Sequence, residues 1–274
     1  MWVVKASGET EEFDIEKIKR TCLKAGATDS LANQIAREVE KRAHNGISTR
    51  EILKITLKLL GKEKPFIAAR YDLKGAIFRL GPAGFAFECL VAEIMKEQGF
   101  KARTHSLIRG FCVEHEVDVI ATKDDKTYMM ECKYHNLPGI YTGLREALYT
   151  YARFLDLVKG SENKTCQKFD QPWLVCNTRF SDDAIQYSEC AGLKLLGWSY
   201  PEENLREMIE KKKLYPITML RKLDRESQDK LAASGLVLMK DLVEMSIKDL
   251  NKITKIPVKK IKTLSEESEQ IYHG

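Results

Sequence analysis

Two short segments on either side of a polar turn constrain this chain more than any other feature. They are Glu116-Val117-Asp118-Val119-Ile120 and Met129-Met130-Glu131-Cys132-Lys133, joined through Lys123-Asp124-Asp125-Lys126. Successive side chains of a strand point to opposite faces. The first segment thus puts Glu116 and Asp118 on one face and gives its valines to the core, and the second puts Glu131 and Lys133 together on the neighbouring strand. The spacing predicts a hairpin with acids and an amine projecting from one side. Such a set suits phosphodiester hydrolysis: carboxylates hold a hard divalent cation such as Mg²⁺ or Mn²⁺, which polarises the phosphate and acidifies a bound water. Lys133 would orient that water or neutralise charge in the transition state. Glu88, at the flank of the apolar stripe Phe87, Leu90, Val91, Ile94 and Met95, is a candidate fourth group. The alternative is a solvated ribbon on which Glu131 and Lys133 form a surface pair worth under about 1 kcal/mol.

The surroundings of this hairpin read as α/β. Phe85 to Gln98 has helical spacing and stops at Gly99, and strands are predicted near 100–109, 114–121 and 127–133. A helix from about Gly143 to Lys159 precedes the apolar strand Trp173-Leu174-Val175-Cys176, a helix capped by Ser181 and a short strand at Leu195-Leu196. That order gives a sandwich around a mixed sheet. Ahead of it, Gly81-Pro82 punctuates the chain. The N-terminal segment reads as a strand at Trp2–Val4, a return reaching Phe13, an N-cap at Asp14 and three helices, the third opening on the capping box Ser48 and Glu51. Beyond Lys211-Lys212-Lys213 the chain is helical again, with Leu220, Leu223, Leu231, Leu236, Leu242, Leu250 and Ile253 as a small core. The expected organisation is multidomain, α+β and α/β, divided as 1–80, 81–213 and 214–274.

Composition excludes some classes. The 274 residues are 43% apolar and 31% charged, and no segment approaches the roughly 20 unbroken apolar residues of a membrane span. The start has no basic segment followed by a long apolar run, so the expected location is cytoplasmic. Seven cysteines stand singly without a CxxC pair, which argues against a zinc site or a disulfide framework. A net charge of +5 suits a polyanionic partner but is shared by many ordinary proteins.

Gly84-Phe85-Ala86-Phe87-Glu88, His115-Glu116-Val117-Asp118-Val119-Ile120-Ala121 and Glu131-Cys132-Lys133-Tyr134 follow the order and spacing of the PD-(D/E)XK nucleases. The stretch from about 82 to 200 resembles their Mrr-like and Holliday-junction-resolvase-like members. The resemblance implies a restriction endonuclease-like fold, catalytic roles for Glu88, Asp118, Glu131 and Lys133, and Glu88, Asp118 and Glu131 as metal ligands. No glutamine-containing motif follows Lys133; Arg145, Tyr149 and Tyr151 stand there instead. His135, beside a strand end, reads more readily as structural than as a substrate contact.

Val4-Lys5, Gly8, Phe13-Asp14, Lys17-Ile18, Gly46-Ile47-Ser48-Thr49 and Ala69-Arg70-Tyr71 resemble an ATP-cone, a nucleotide-sensing module. By that resemblance ATP or dATP would lie against Lys5, Glu11, Lys17 and Thr49, with Ala6 where the pattern usually has a basic residue. The tail is similar to a helix-hairpin-helix or SAM-like domain, with Ala233-Ser234-Gly235-Leu236 and Ile253-Thr254-Lys255-Ile256-Pro257 at its turns. Lys255 and Pro257 replace glycines usual there. Capture of DNA phosphates would therefore fall to Lys252, Lys255, Lys259, Lys260 and Lys262. The combined expectation is a magnesium-dependent DNA endonuclease responsive to ATP or dATP, acting in DNA repair, recombination or restriction. Two cuts in a duplex would favour a homodimer. The rival expectation is a catalytically silent, nucleotide-responsive DNA-binding regulator that keeps the nuclease fold as a scaffold.

Overall fold

The computed structural model describes residues 1–81 and 84–273. Pro82, half of the expected punctuation, lies outside the described residues, as does Gly274 at the end of the tail. The chain opens with β1 (Trp2–Val4) antiparallel to β2 (Thr10–Glu12), in the register Val3 to Glu11. Helices α1 (Ile15–Lys24) and α2 (Asp29–Glu40) follow, each started by a side chain that satisfies an orphan amide. Asp14 accepts from Lys17 N, and Thr28 from Leu31 N. Where only a turn and a cap are expected from the residues, β3 (Ile47–Ser48) adds to β1 in parallel. Ser48 ends it by accepting from Glu51 N at the start of α3 (Thr49–Glu63). Pro65 stops α3 and opens α4 (Pro65–Tyr71), since a proline lacks the amide that an interior position needs but a first-turn position does not. Then comes α5 (Leu73–Phe78), and Ile18, Cys22, Ile35, Val39, Leu60 and Ile67 form the core of this segment.

The middle of the chain follows the order read from sequence. Helix α6 (Phe85–Glu97) leads into an antiparallel meander of β4 (Lys101–Arg109), β5 (Glu114–Lys123) and β6 (Lys126–Lys133). After the short β7 (Tyr141–Thr142), helix α7 (Leu144–Glu162) carries the chain across to β8 (Gln171–Cys176), parallel to β6. The short β9 (Arg179–Phe180) pairs with β7, and α8 (Asp182–Ala191) leads to β10 (Lys194–Leu196), parallel to β8. The five-stranded sheet is mixed, in the order β10-β8-β6-β5-β4. Parallel neighbours need long crossovers, which α7 and α8 provide. Val117, Ile120, Met129, Leu157 and Phe169 fill one core, and Ala147, Leu174, Cys176, Ala184 and Leu195 belong to a second.

After α9 (Leu205–Lys212) the tail forms a 3-10 turn at Ile217–Met219 and then α10 (Arg225–Ala233), α11 (Met239–Glu244), α12 (Ile247–Thr254) and α13 (Val258–His273). Read from sequence as a unit of its own, the tail instead packs with the N-terminal segment. One compact unit comprises 1–79, 215–234 and 239–274, and the other comprises 80–214 and 235–238. Thr218 Oγ1 donates to Ala76 O at 2.7 Å, and Arg70 Nε donates to Ile271 O at 3.0 Å. The Arg70 contact satisfies a carbonyl in the last turn of α13, which has no partner within its own helix. Among the described residues no helix is long and apolar enough to cross a membrane.

Candidate active site

The strand alternation brings Asp118 and Glu131 to one end of the β5–β6 hairpin. The ladder between these strands runs from Lys123–Lys126 to Val119–Met130. One step further, a carboxylate takes the place of a backbone acceptor: Cys132 N donates to Asp118 Oδ2 at 2.7 Å. Asp118 is thereby fixed in position, while β6 continues against β8, with Glu131 beside Leu174 and Lys133 beside Cys176. Lys133 stands exposed at the strand end. Glu88 enters from the first turn of α6 and is only 9% exposed. Its Oε2 has no hydrogen-bond partner among the described residues. A Cβ on Gly84 would come within 3.1 Å of Glu88 Oε1, so the glycine keeps the approach to this carboxylate open.

Two residues of the site escaped the sequence reading. His105 sits in β4 with φ +49°, a left-handed conformation that costs a non-glycine residue about 1–2 kcal/mol. Its ring lies 3.0 Å from Glu88 Oε2, without the alignment of a hydrogen bond, and 3.3 Å from Glu116 Oε1. The ring also stacks on Phe85, with centroids 4.7 Å apart. Arg153 reaches in from α7 and is 8% exposed. One terminal nitrogen donates to the Glu131 carboxylate and the other to the Glu116 carbonyl, while its Nε has no hydrogen-bond partner among the described residues. The ring of Tyr149 covers the guanidinium at 5.3 Å. A signal for Arg153 was present, because it falls on the buried helical stripe Ala147, Thr150, Leu157 and Gly160. The ion partner of Glu131 is thus Arg153, rather than Lys133 as the solvated-ribbon alternative had it. The His135 ring contacts Thr142 Oγ1 at 2.9 Å, and its backbone is clasped from both sides by Asn177.

Burial raises the proton affinity of all three acids. Glu88 and Glu131 are pushed up to about 7, first by burial and then by the field of Asp118. Asp118 is raised by burial against the pull of the Cys132 amide and of Arg153. Three carboxylates that resist ionisation together suit a hard divalent cation, as does the all-oxygen donor set, in which one Glu88 oxygen accepts no hydrogen bond among the described residues. With Glu131 turned onto Arg153, no three His, Cys, Asp or Glu side chains among the described residues converge to hold an ion.

At the other candidate sites the charges lie at or near the surface. In the N-terminal segment Glu11 lies 3.2 Å from Lys5 Nζ and 3.0 Å from Lys17 Nζ, while Thr49 begins α3 behind the short sheet. In the tail, Lys252 and Lys255 line a cavity of about 670 Å³ with Ser246, Lys248, Asp249 and Asn251. Lys255 adopts φ +58°, the conformation a glycine would otherwise supply at this turn. Lys259 and Lys262 are exposed on α13. Lys260 is committed elsewhere, to the Asp224 carboxylate that caps α10 and to Lys222 O.

Residues 1–73 match the ATP cone domain, and residues 215–272 match the C-terminal domain of AF1548-like proteins. An uncharacterized protein of Archaeoglobus fulgidus is 44% identical over 182 residues, which cover 66% of this chain and 99% of that protein. A shorter uncharacterized protein of the same organism is 46% identical over 39 residues, 14% of this chain and 83% of its own length. Among solved structures, the crystal structure of the protein of unknown function AF1548 aligns with a TM-score of 0.63 at 43% identity, covering 70% of this chain and 100% of that one. The chain therefore belongs to the AF1548-like family and opens with an ATP cone domain.

Proposed function

We propose that this protein is a metal-dependent DNA endonuclease whose ATP cone makes it responsive to ATP or dATP. One observation carries the reading: Glu88, Asp118 and Glu131 are gathered at one end of the β5–β6 hairpin with raised proton affinities, next to an exposed lysine, and a buried Glu88 oxygen accepts no hydrogen bond among the described residues. The order and spacing of those residues, which resemble the PD-(D/E)XK pattern, support it. Mg²⁺ or Mn²⁺ held by carboxylates of this set would supply Lewis acidity towards a phosphate oxygen and acidify a water. Asp118 is already oriented by the Cys132 amide. Lys133 is free to meet a phosphate oxygen or hold the attacking water, and Lys252, Lys255, Lys259 and Lys262 offer DNA a sequence-independent attraction.

The Arg153 guanidinium on Glu131 favours a second reading, a catalytically silent and nucleotide-responsive DNA-binding regulator. Cleavage of supercoiled, linear and branched DNA with Mg²⁺ or Mn²⁺ separates the two. Under the nuclease reading wild-type protein nicks DNA, and Asp118→Asn loses that activity while remaining folded. Equal nicking by the variant would defeat the assignment, and no nicking by wild type on any substrate would leave the regulator.

A further inference from the structure

We infer that Arg153 is a built-in counter-cation of the acidic site, withdrawing Glu131 from the carboxylates available to metal, so that the folded chain binds one divalent ion through Glu88 and Asp118. The inference deepens the metal site proposed above and rests on that reading. A guanidinium stays charged at any working pH and presents a planar fork of donors. Here the fork spans two strands, with one nitrogen on the Glu131 carboxylate of β6 and the other on the Glu116 carbonyl of β5. Arg153 is therefore held by the backbone of the hairpin as well as by the acid it neutralises.

Burial makes this placement consequential. Arg153 is 8% exposed, and arginine is almost never found so enclosed unless it is paired. Tyr149 lies over the guanidinium, and the Nε proton has no acceptor among the described residues, so the group depends on Glu131 and the Glu116 carbonyl for compensation. Of the three carboxylates gathered here, Glu131 is matched by Arg153, which leaves Glu88, with the His105 ring 3.0 Å from its Oε2, and Asp118, which accepts from the Cys132 amide. One divalent ion balances them. Glu88 still has a buried oxygen with no hydrogen-bond partner, and no trio of acidic, His or Cys side chains converges among the described residues. The lack of such a trio follows if Glu131 is committed to Arg153, which leaves Glu88 and Asp118 as the carboxylates available to a cation. His105 stands at the rim beside Glu88 and Glu116, and exposed Lys133 remains available to substrate.

The test is Mn²⁺ binding to the full chain near pH 8, by calorimetry and by electron spin resonance of the bound ion, with no substrate present. Wild type should take up one ion. Arg153→Met should take up a second ion or bind the first at least tenfold more tightly, because Glu131 is released, whereas Arg153→Lys, which keeps a cation, should remain near wild type. Two ions in the wild type, or unchanged number and affinity in Arg153→Met, would overturn the inference while leaving the metal site intact. No Mn²⁺ uptake by wild type would remove the metal site and this inference together. Should Arg153→Met fail to fold, Glu131→Gln decides: affinity within about threefold of wild type supports the withdrawal of Glu131, and a loss beyond tenfold refutes it.

Discussion

Two clusters of opposite charge, in different parts of the chain, respond to their surroundings in opposite ways. Around Glu11 in the ATP cone, two lysines flank one carboxylate near the surface, and the Lys17 hydrogen bond leads in holding its proton affinity below the ordinary value. Around Asp118, three carboxylates lie near one buried guanidinium that pairs with Glu131 alone of the three, and their proton affinities rise. The first cluster is complete without a ligand. The second is short of positive charge, and burial keeps water from making up the difference. The direction of the shift therefore separates a solvated ion cluster from one that a cation would complete.

The largest expected effect tests whether that shortage serves chemistry. Lys133→Ala leaves every acid in place and removes the exposed amine proposed to act on water or transition-state charge. Single-turnover cleavage of a branched DNA should fall by at least about a hundredfold, the usual scale for one electrostatic stabiliser in an active site. Mn²⁺ uptake should persist, and DNA affinity should change only by the share of one phosphate contact. Unchanged cleavage would strip Lys133 of its role and leave it as a surface charge.

How much of this was legible differs residue by residue. Period-two alternation is local, so Asp118, Glu131 and Lys133 could be placed on one side of a hairpin from ten residues of sequence. His105 breaks the same rule: its left-handed backbone redirects a strand side chain, and no pattern in β4 announces that. Arg153 was visible as an arginine on a buried stripe, but its partner lies on a strand that only the fold brings near. The strand β3 was hidden because two residues next to a glycine carry no periodicity. The packing of the tail with the cone segment depends on contacts such as Arg70 with Ile271 and Thr218 with Ala76, which join distant parts of the sequence. For that reason deletion of the tail would disturb the cone, and substitution of Lys252, Lys255, Lys259 or Lys262 is the cleaner probe of its DNA contact.

A smaller effect concerns stability and its sign with pH. Glu88 has an ordinary value of 4.5 and is raised to about 7 in the folded chain. Between those values the unfolded chain has released its proton and the folded chain has not, so the metal-free protein loses stability as pH rises through this window. Glu88→Gln removes that loss. Without metal, the variant should melt higher than wild type at pH 8, by about 1–3 kcal/mol of stability, and close to wild type at pH 5. Mn²⁺ should raise the melting temperature of the wild type at pH 8 and leave the variant unmoved. A variant less stable than wild type at both pH values would mean that the carboxylate is satisfied and that the cluster lacks no cation.

The smallest effect lies on the other side of the comparison. Lys17 is 62% exposed and donates to Glu11, which keeps Lys5 at 3.2 Å if Lys17 is lost. Lys17→Ala should therefore cost under about 1 kcal/mol of stability, the usual worth of an exposed ion pair. Binding is a different matter, because the cone resemblance assigns Lys17 to a nucleotide phosphate and Ala6 leaves few cations to share the load. Loss of one charge-assisted contact at an exposed site should weaken ATP or dATP binding by about three- to tenfold, measured by calorimetry on the full chain. A fall in affinity without a fall in melting temperature would show that a cluster complete in itself can still lend its lysines to a ligand. If the variant and wild type bind ATP equally, the phosphates lie elsewhere. If wild type binds no adenine nucleotide, Lys5, Glu11 and Lys17 only hold the short sheet to α1.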